Sequence, residues 1–295
     1  MVVIIGYLVV LVSVIGGFMM GGGILSVLYQ PIEFLIIGGS GIGAFIVGNN
    51  FKGIKATVRA LPKLMRSSKY NKALYMDLMA LLYRLLAKAR QQGMLSLEGD
   101  LESPKESEIF SSYPLISADA TLMDFITDYF RLVVSGNMNP FEIEALMDEE
   151  IETFHQEGEV PAGSLAVMGD SLPAFGIVAA VMGVINALAA ADRPAAELGA
   201  LIAHAMVGTF LGILLAYGFI SPLATLLRQQ NAETSKIMEC IKVTLLSSLN
   251  GYAPQIAVEF GRKTLYTTER PSFTELEEHV RKVKSPAASQ SKQEG

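Results

Sequence analysis

The sequence predicts an all-α integral membrane protein: four transmembrane helices, with a large helical cytoplasmic domain between the second and the third. Three observations carry this. Apolar residues fill 51% of the 295 positions and charged residues only 18%, against about 25% charged in an ordinary soluble domain. The apolar excess is gathered into four blocks, each near the roughly 20 helical residues that a ~30 Å hydrocarbon core requires. The basic residues between the blocks are unevenly shared, and that bias assigns the sides.

The first block, "MVVIIGYLVVLVSVIGGFMM" from Met1, has no basic region before it and no clear cleavage site, so it reads as a retained helix rather than a secretory signal. The second is "FLIIGGSGIGAFIVGNNF", residues 34–51, and the third covers Leu172 to Ala191. The fourth, residues 198–227, exceeds one bilayer crossing and reads as tilted or running past the headgroups. By this reading no Asp, Glu, Lys or Arg falls inside any span.

The second block is followed by Lys52, Lys55, Arg59, Lys63, Arg66, Lys69 and Lys72 with no acid among them, and the fourth ends on Arg228. The segments joining the first to the second block and the third to the fourth carry only Arg193 between them. The positive-inside rule therefore places residues 52–168 and 228–295, and both termini, in the cytoplasm. The expected divisions are helices one and two in 1–51, a cytoplasmic helical domain in 52–168, helices three and four in 169–227, a cytoplasmic helical extension in 228–284 and a disordered tail in 285–295.

In the cytoplasmic part, "YNKALYMDLMALLYRLLAKARQQG" repeats apolar residues at three- and four-residue spacing and stops at Gly93. "ADATLMDFITDYFRLVVSG" reads as a second helix ending at Gly136, and an acid-rich third begins with Asn139 as cap and Pro140 in the first turn. No strand pattern stands out. The apolar stripes are expected to pack on one another, and the exposed charges to be solvated. Arg90 and Glu98 are the pair to watch, with opposite signs on either side of the break "ARQQGMLSLEG".

Composition excludes several function classes. A net charge of −6 argues against nucleic acid, which needs clustered Lys and Arg. The single cysteine, Cys240, allows no intrachain disulfide and no four-cysteine metal site. No nucleophile–base or metal-ligand cluster is visible, so neither enzyme, cofactor nor metal is expected.

The last two spans are lined with small residues. Ala179, Gly183, Ala187 and Ala191 lie four apart, as do Gly176 and Ala180, and Gly208, Gly212 and Ala216. Residues at that spacing share a helix face and admit another helix closely. The visitor is either another span of this chain or a helix from elsewhere. Polar residues here are few: Asn186, His204, Thr209 and Ser221. His204 reads as an interfacial histidine, and Thr209 as bonded to its own helix. Ion relays use ionisable groups within the membrane, so a conducting assembly is expected to take its carboxylate from a second polypeptide. Counted inward at ~1.5 Å per residue, Pro173 and Pro222 reach similar depth near the inner surface. Pro222 frees the carbonyl of Gly218 and is a kink candidate. Pro173 either frees Gly169, if its helix starts upstream near Ala162, or occupies a first turn capped by Ser171.

The stretches "GDSLPAFGIVAAVMG", "DRPAAELGALIAHAMVGTFLGILLAYGFISPLA", "FEIEALMDEEIE", "SKYNKALYMDLMALLYRLLAKAR" and "NGYAPQIAVEFGRKTLY" resemble the MotA family of flagellar motor stator subunits, part of the wider MotA/TolQ/ExbB proton channel family. The resemblance runs over nearly the whole chain. It implies a bacterial inner-membrane protein that forms a ring of five around a dimer of MotB. MotB would supply the protonatable aspartate and a peptidoglycan anchor. It also implies that proton flow turns the ring, whose cytoplasmic helices push the rotor protein FliG. On this sequence the family's rotor-contacting pair falls on Arg90 and Glu98, with Glu150 matching a further cytoplasmic position, and its essential prolines fall on Pro173 and Pro222. Ala180 and Thr209 match positions lining the ion path; sodium-driven relatives carry a hydroxyl where Ala180 lies, so H+ is the implied ion and no cofactor is needed. A TolQ- or ExbB-like energiser of an outer-membrane process is the alternative. A self-sufficient transporter is disfavoured because no internal repeat is present.

Overall fold

The computed structural model describes residues 2–65 and 69–284; the tail expected to be disordered, 285–295, lies outside them, as does Arg66 of the basic flank. Every regular element among the described residues is helical. In chain order these are α1 (Val2–Met20), α2 (Leu25–Leu28), α3 (Pro31–Gly48), α4 (Phe51–Leu64), α5 (Lys72–Gln92), α6 (Glu98–Glu102), α7 (Glu108–Ser111), α8 (Pro114–Ser117), α9 (Ala120–Ser135), α10 (Pro140–Ala189), α11 (Ala195–Ile213), α12 (Ser221–Leu249), α13 (Pro254–Thr264) and α14 (Phe273–Lys284). A π-helical segment, Leu214–Ile220, joins α11 to α12 without a break. Four stretches are long and apolar enough to cross a membrane: Val2–Met20, Leu25–Gly48, and parts of Pro140–Ala189 and Ala195–Leu249.

The chain divides into two units, Met1–Ser67 with Gln156–Asn231, and Ser68–His155 with Ala232–Gly295. The first holds the four apolar stretches. Its interior is made of Ile37, Leu172, Ala179, Val207, Leu211 and Ala216, and a second cluster of Leu64, Ala162, Leu165, Ala224 and Leu227.

The second unit is built on local signals. The Asn71 side chain accepts from the Leu74 N–H at 3.0 Å and starts α5; Gly93, with φ 87°, ends it in a conformation that penalises any side chain. The stripe of α5 buries Leu74, Leu78, Leu81, Leu82, Leu85 and Leu86 against Phe125, Ile126 and Phe130 of α9, Ile237 and Ile241 of α12, and Val258 of α13. Gly136 ends α9 in the left-handed region. The Asn139 carbonyl oxygen of the side chain accepts from the Phe141 and Glu142 N–H groups, and Glu142 accepts in return from the Asn139 N–H at 2.8 Å, a reciprocal cap for α10.

Three features differ from the sequence reading. The acid-rich helix and the third span are one 50-residue helix, α10, with Pro161 and Pro173 inside it. Hydropathy changes along it, but helical hydrogen bonding does not require uniform polarity. Pro173 is therefore interior rather than in a first turn. The second apolar stretch begins at Leu25, and its main helix α3 at Pro31 rather than at Phe34, which brings Glu33, only 9% exposed, into a stretch expected to be free of charge. The helix that carries the fourth span continues through the π segment and α12 to Leu249.

Candidate functional site

The glycines of α10 and α11 meet each other. A Cβ placed on Gly176 would lie 2.8 Å from the Gly208 carbonyl oxygen, one on Gly212 would lie 2.7 Å from the Leu172 carbonyl oxygen, and one on Gly183 would lie 2.6 Å from the Ala205 Cβ. The small-residue faces are thus packed within the chain, with backbone against backbone, which is the geometry that dispersion favours between helices in lipid. Bulkier residues of α10, including Ile177, Val181, Ile185 and Leu188, are exposed on the chain's surface.

Gly208 is also where three helices converge. Its missing side chain would stand 3.0 Å from the Ala179 Cβ, 3.2 Å from the Ala180 backbone nitrogen and 3.0 Å from Glu33 Oε2. Ala180 therefore adjoins the residue preceding Thr209; both are half-buried. The Glu33 Oε2 atom is buried and has no hydrogen-bond partner among the described residues. The sequence reading passed over Glu33 by starting the span after the last charge. Pro31 followed by an acid in the same turn is a helix-start pattern and could have placed it inside the helix.

The two prolines have adjoining neighbourhoods. Pro173 has no N–H to give the carbonyl of Gly169, four residues earlier. A Cβ on Gly169 would lie 2.7 Å from Ser221 Oγ, and Ser221 directly precedes Pro222. The Ser221 hydroxyl is itself buried without a hydrogen-bond partner among the described residues. Immediately before Pro222 the backbone has already left α-helical register: the Ser221 N–H donates to the carbonyl of Ala216, five residues back. Tyr7 of α1 supports this segment, its hydroxyl donating to the Phe219 carbonyl at 2.9 Å and its ring lying 4.8 Å from that of Phe219. Nothing in the amino-acid pattern announced Tyr7, because its partner is a backbone group 212 residues away.

In the second unit Arg90 and Glu98 are both exposed, on the last turn of α5 and the first residue of α6. The loop between them is anchored by the ion pair of Lys88 with Asp100 at 2.6 Å and by the Ser107 hydroxyl donating to Asp100 at 2.6 Å. Glu150 is exposed on α10, and its carboxylate accepts from the Tyr129 hydroxyl at 2.7 Å. Burial, and then this bond to Glu150, push the Tyr129 hydroxyl well above the usual tyrosine range, so it stays a donor. Among the described residues no three His, Cys, Asp or Glu side chains gather as a metal-holding group.

Comparison with known proteins matches these features to a single lineage. The N-terminal region of Motility protein A matches residues 4–93, and the MotA/TolQ/ExbB proton channel family matches residues 117–240. Motility protein A of Salmonella typhimurium is 73% identical over 294 residues, covering 100% of both chains. Motility protein A of Escherichia coli is 74% identical over 286 residues, covering 97% of each. The structure of the flagellar MotAB stator complex from Bacillus subtilis superposes with a TM-score of 0.75 at 26% identity, covering 92% of this chain and 98% of that one.

Proposed function

Because the chain belongs to the MotA family within the MotA/TolQ/ExbB proton channels, we propose that it is a stator subunit of the bacterial flagellar motor, acting with MotB to convert proton motive force into torque. The observation that carries this reading is the identity to Motility protein A over the full length of both chains. It is a membrane protein with four spans. The basic run after α3 supports an inner-membrane orientation with both termini and the second unit cytoplasmic.

In the reading proposed here, five copies ring a MotB dimer whose aspartate takes and releases H+. Protonation removes a charge from an apolar wall, where an unpaired charge is costly, and so changes which ring position is favoured. Ala180 and Thr209 line the path; the methyl of Ala180, in place of a hydroxyl, supports H+ over Na+. Pro173 and Pro222 are the compliant points. Each removes a helical hydrogen bond, and the adjoining positions of Gly169 and Ser221 support their working as one locus. Arg90, Glu98 and Glu150 present charge to FliG. The tethering of Glu150 to Tyr129 supports a contact with fixed geometry.

The test is genetic and biochemical. Deletion should paralyse flagella and leave the envelope sound; envelope fragility with normal swimming would favour the TolQ- or ExbB-like alternative. Co-purification with MotB should give five copies of this chain to two of MotB. Reversing the charge of Arg90 or Glu98 should weaken torque without affecting insertion, and Pro173→Ala should leave the complex intact but stationary.

A further inference from the structure

We propose that Glu33 is a proton-binding site of this chain within the membrane. The inference rests on the stator reading for its purpose and on the geometry for its location.

Four observations place it. Glu33 lies in a stretch apolar and long enough to span, Leu25–Gly48. Its side chain is aimed at Gly208, where the absence of a Cβ makes room for Oε2, and that oxygen is buried with no hydrogen-bond partner among the described residues. The spot lies well along the helices: Ala180 is nine residues before the end of α10, and Gly208 thirteen after the start of α11, which at the helical rise is ~14–20 Å from the α10–α11 turn. His204, one turn before Gly208 on α11, interacts electrostatically with the carboxylate.

A carboxyl group serving only the fold would be expected to use its oxygens. Glu33 sits in the first turn of α3, whose free N–H groups favour an anion, yet Oε2 does not accept from them. An unpaired carboxylate in a site of low polarity is unfavourable, and taking up a proton relieves that cost. On α11 the titratable residues are Glu197, in its first turn, and His204, which is exposed on the chain's surface. α2 and the rest of α3 contribute none, and α10 carries none between Asp170 and Asp192. Arg193, just before α11, and Glu197, in its first turn, are paired with each other at 3.8 Å. In the uptake, an O–H bond of a hydronium ion breaks, an O–H bond forms at Glu33, and a water molecule and a neutral carboxyl remain. The site adjoins Ala180 and the residue before Thr209, so a proton held there stands at the level proposed for the ion path.

The experiment uses the full chain assembled with MotB in liposomes, in wild-type, Glu33→Gln, Glu33→Asp and His204→Gln forms. Two measurements are made: proton uptake driven by a pH gradient, and infrared titration of carboxyl groups. Glu33→Gln keeps shape and burial but cannot exchange a proton. It should assemble normally, lose about tenfold or more of the proton flux, and lack one protonated-carboxyl band present in wild type. Glu33→Asp should recover part of the flux, and His204→Gln should shift the pH at which the band titrates. Flux within about twofold of wild type in Glu33→Gln, or a carboxyl spectrum identical to wild type, would overturn the proposal. If Glu33→Gln fails to assemble, the Glu33→Asp flux and the titration shift in His204→Gln decide. If the wild-type complex carries no protons, the stator reading fails, and the infrared titration alone still settles whether Glu33 binds one.

Discussion

Gly176 and Gly212 stand so close across the α10–α11 interface that a Cβ on Gly176 would lie 3.1 Å from the Gly212 Cα, and one on Gly212 would lie 2.9 Å from the Gly176 Cα. The obstruction on both sides is backbone, which cannot rotate away as a side-chain tip can.

Gly176→Val and Gly212→Val should therefore each destabilise the spans by about 1–3 kcal/mol, the usual cost of forcing extra atoms into a packed interface. Gly17→Ala is the control: it lies on an exposed face of α1 with nothing within 4 Å of its missing Cβ. Thermal unfolding of the detergent-purified chain should show a lowered Tm for the first two and an unchanged one for the third. Equal behaviour of all three would contradict the packing described.

Gly169 and Ser221 should respond in opposite ways. Gly169→Ala brings a methyl within 2.7 Å of Ser221 Oγ and should lower stability. Ser221→Ala removes a buried hydroxyl that has no hydrogen-bond partner among the described residues, so it should be neutral or stabilising. It should also restore the Gly169→Ala variant by making room for the methyl. The double-mutant cycle measures that coupling, and strict additivity would refute the contact.

Cys240 is wholly buried, and burial pushes its thiol up to about 12 despite hydrogen bonds to Thr264 and Thr244 that act the other way. The thiolate is the reactive form. A maleimide at mildly alkaline pH should leave the native protein unmodified and label it fully once unfolded. Rapid native labelling would mean that the packing of α12 against α13 opens readily.

Glu275 predicts an acid response. A hydrogen bond from Lys72 at 2.7 Å and then the cap formed with Ser272 hold its carboxyl down to about 2, from an ordinary value of 4.5. A carboxyl lowered on folding stabilises the fold above its ordinary value and loses that contribution as the pH falls through the folded one. The Tm difference between wild type and Glu275→Gln should thus be constant from neutral pH to about 4.5 and shrink towards about 2. It should be small throughout, since the pair is exposed to solvent. A difference that does not vary with pH would exclude the pairing of α5 with α14 through these groups.

Local chemistry was the legible part of this molecule. The Asn139 cap and the stops at Gly93 and Gly136 could be read directly, because each is decided within a few residues. The four apolar stretches were legible for the same reason, since hydropathy is a property of the segment itself. The fusion of α10 was not: Pro161 marks an end by every local rule, yet it is buried inside a continuous helix, where packing outweighs the lost hydrogen bond. The closeness of Ala180 to Gly208, the residue before Thr209, and of Gly169 to Ser221 depends on how α10 meets its neighbours, which spacing along one helix does not encode. Glu33 escaped because a span was taken to start where charge stops. In the fold the helix starts at Pro31, and the carboxylate reaches a gap left by a glycine 175 positions further on, at Gly208.

The pairing of glycine with glycine inside the chain also determines what is left facing outward on α10. Much of that surface is Ile177, Val181, Ile185 and Leu188, branched hydrocarbon without a donor or acceptor at the side-chain tips. A helix resting on that stripe meets many weak dispersion contacts of nearly equal strength, which do little to select one alignment over the next. Polar selection is left to the exposed amide of Asn186 on the same helix.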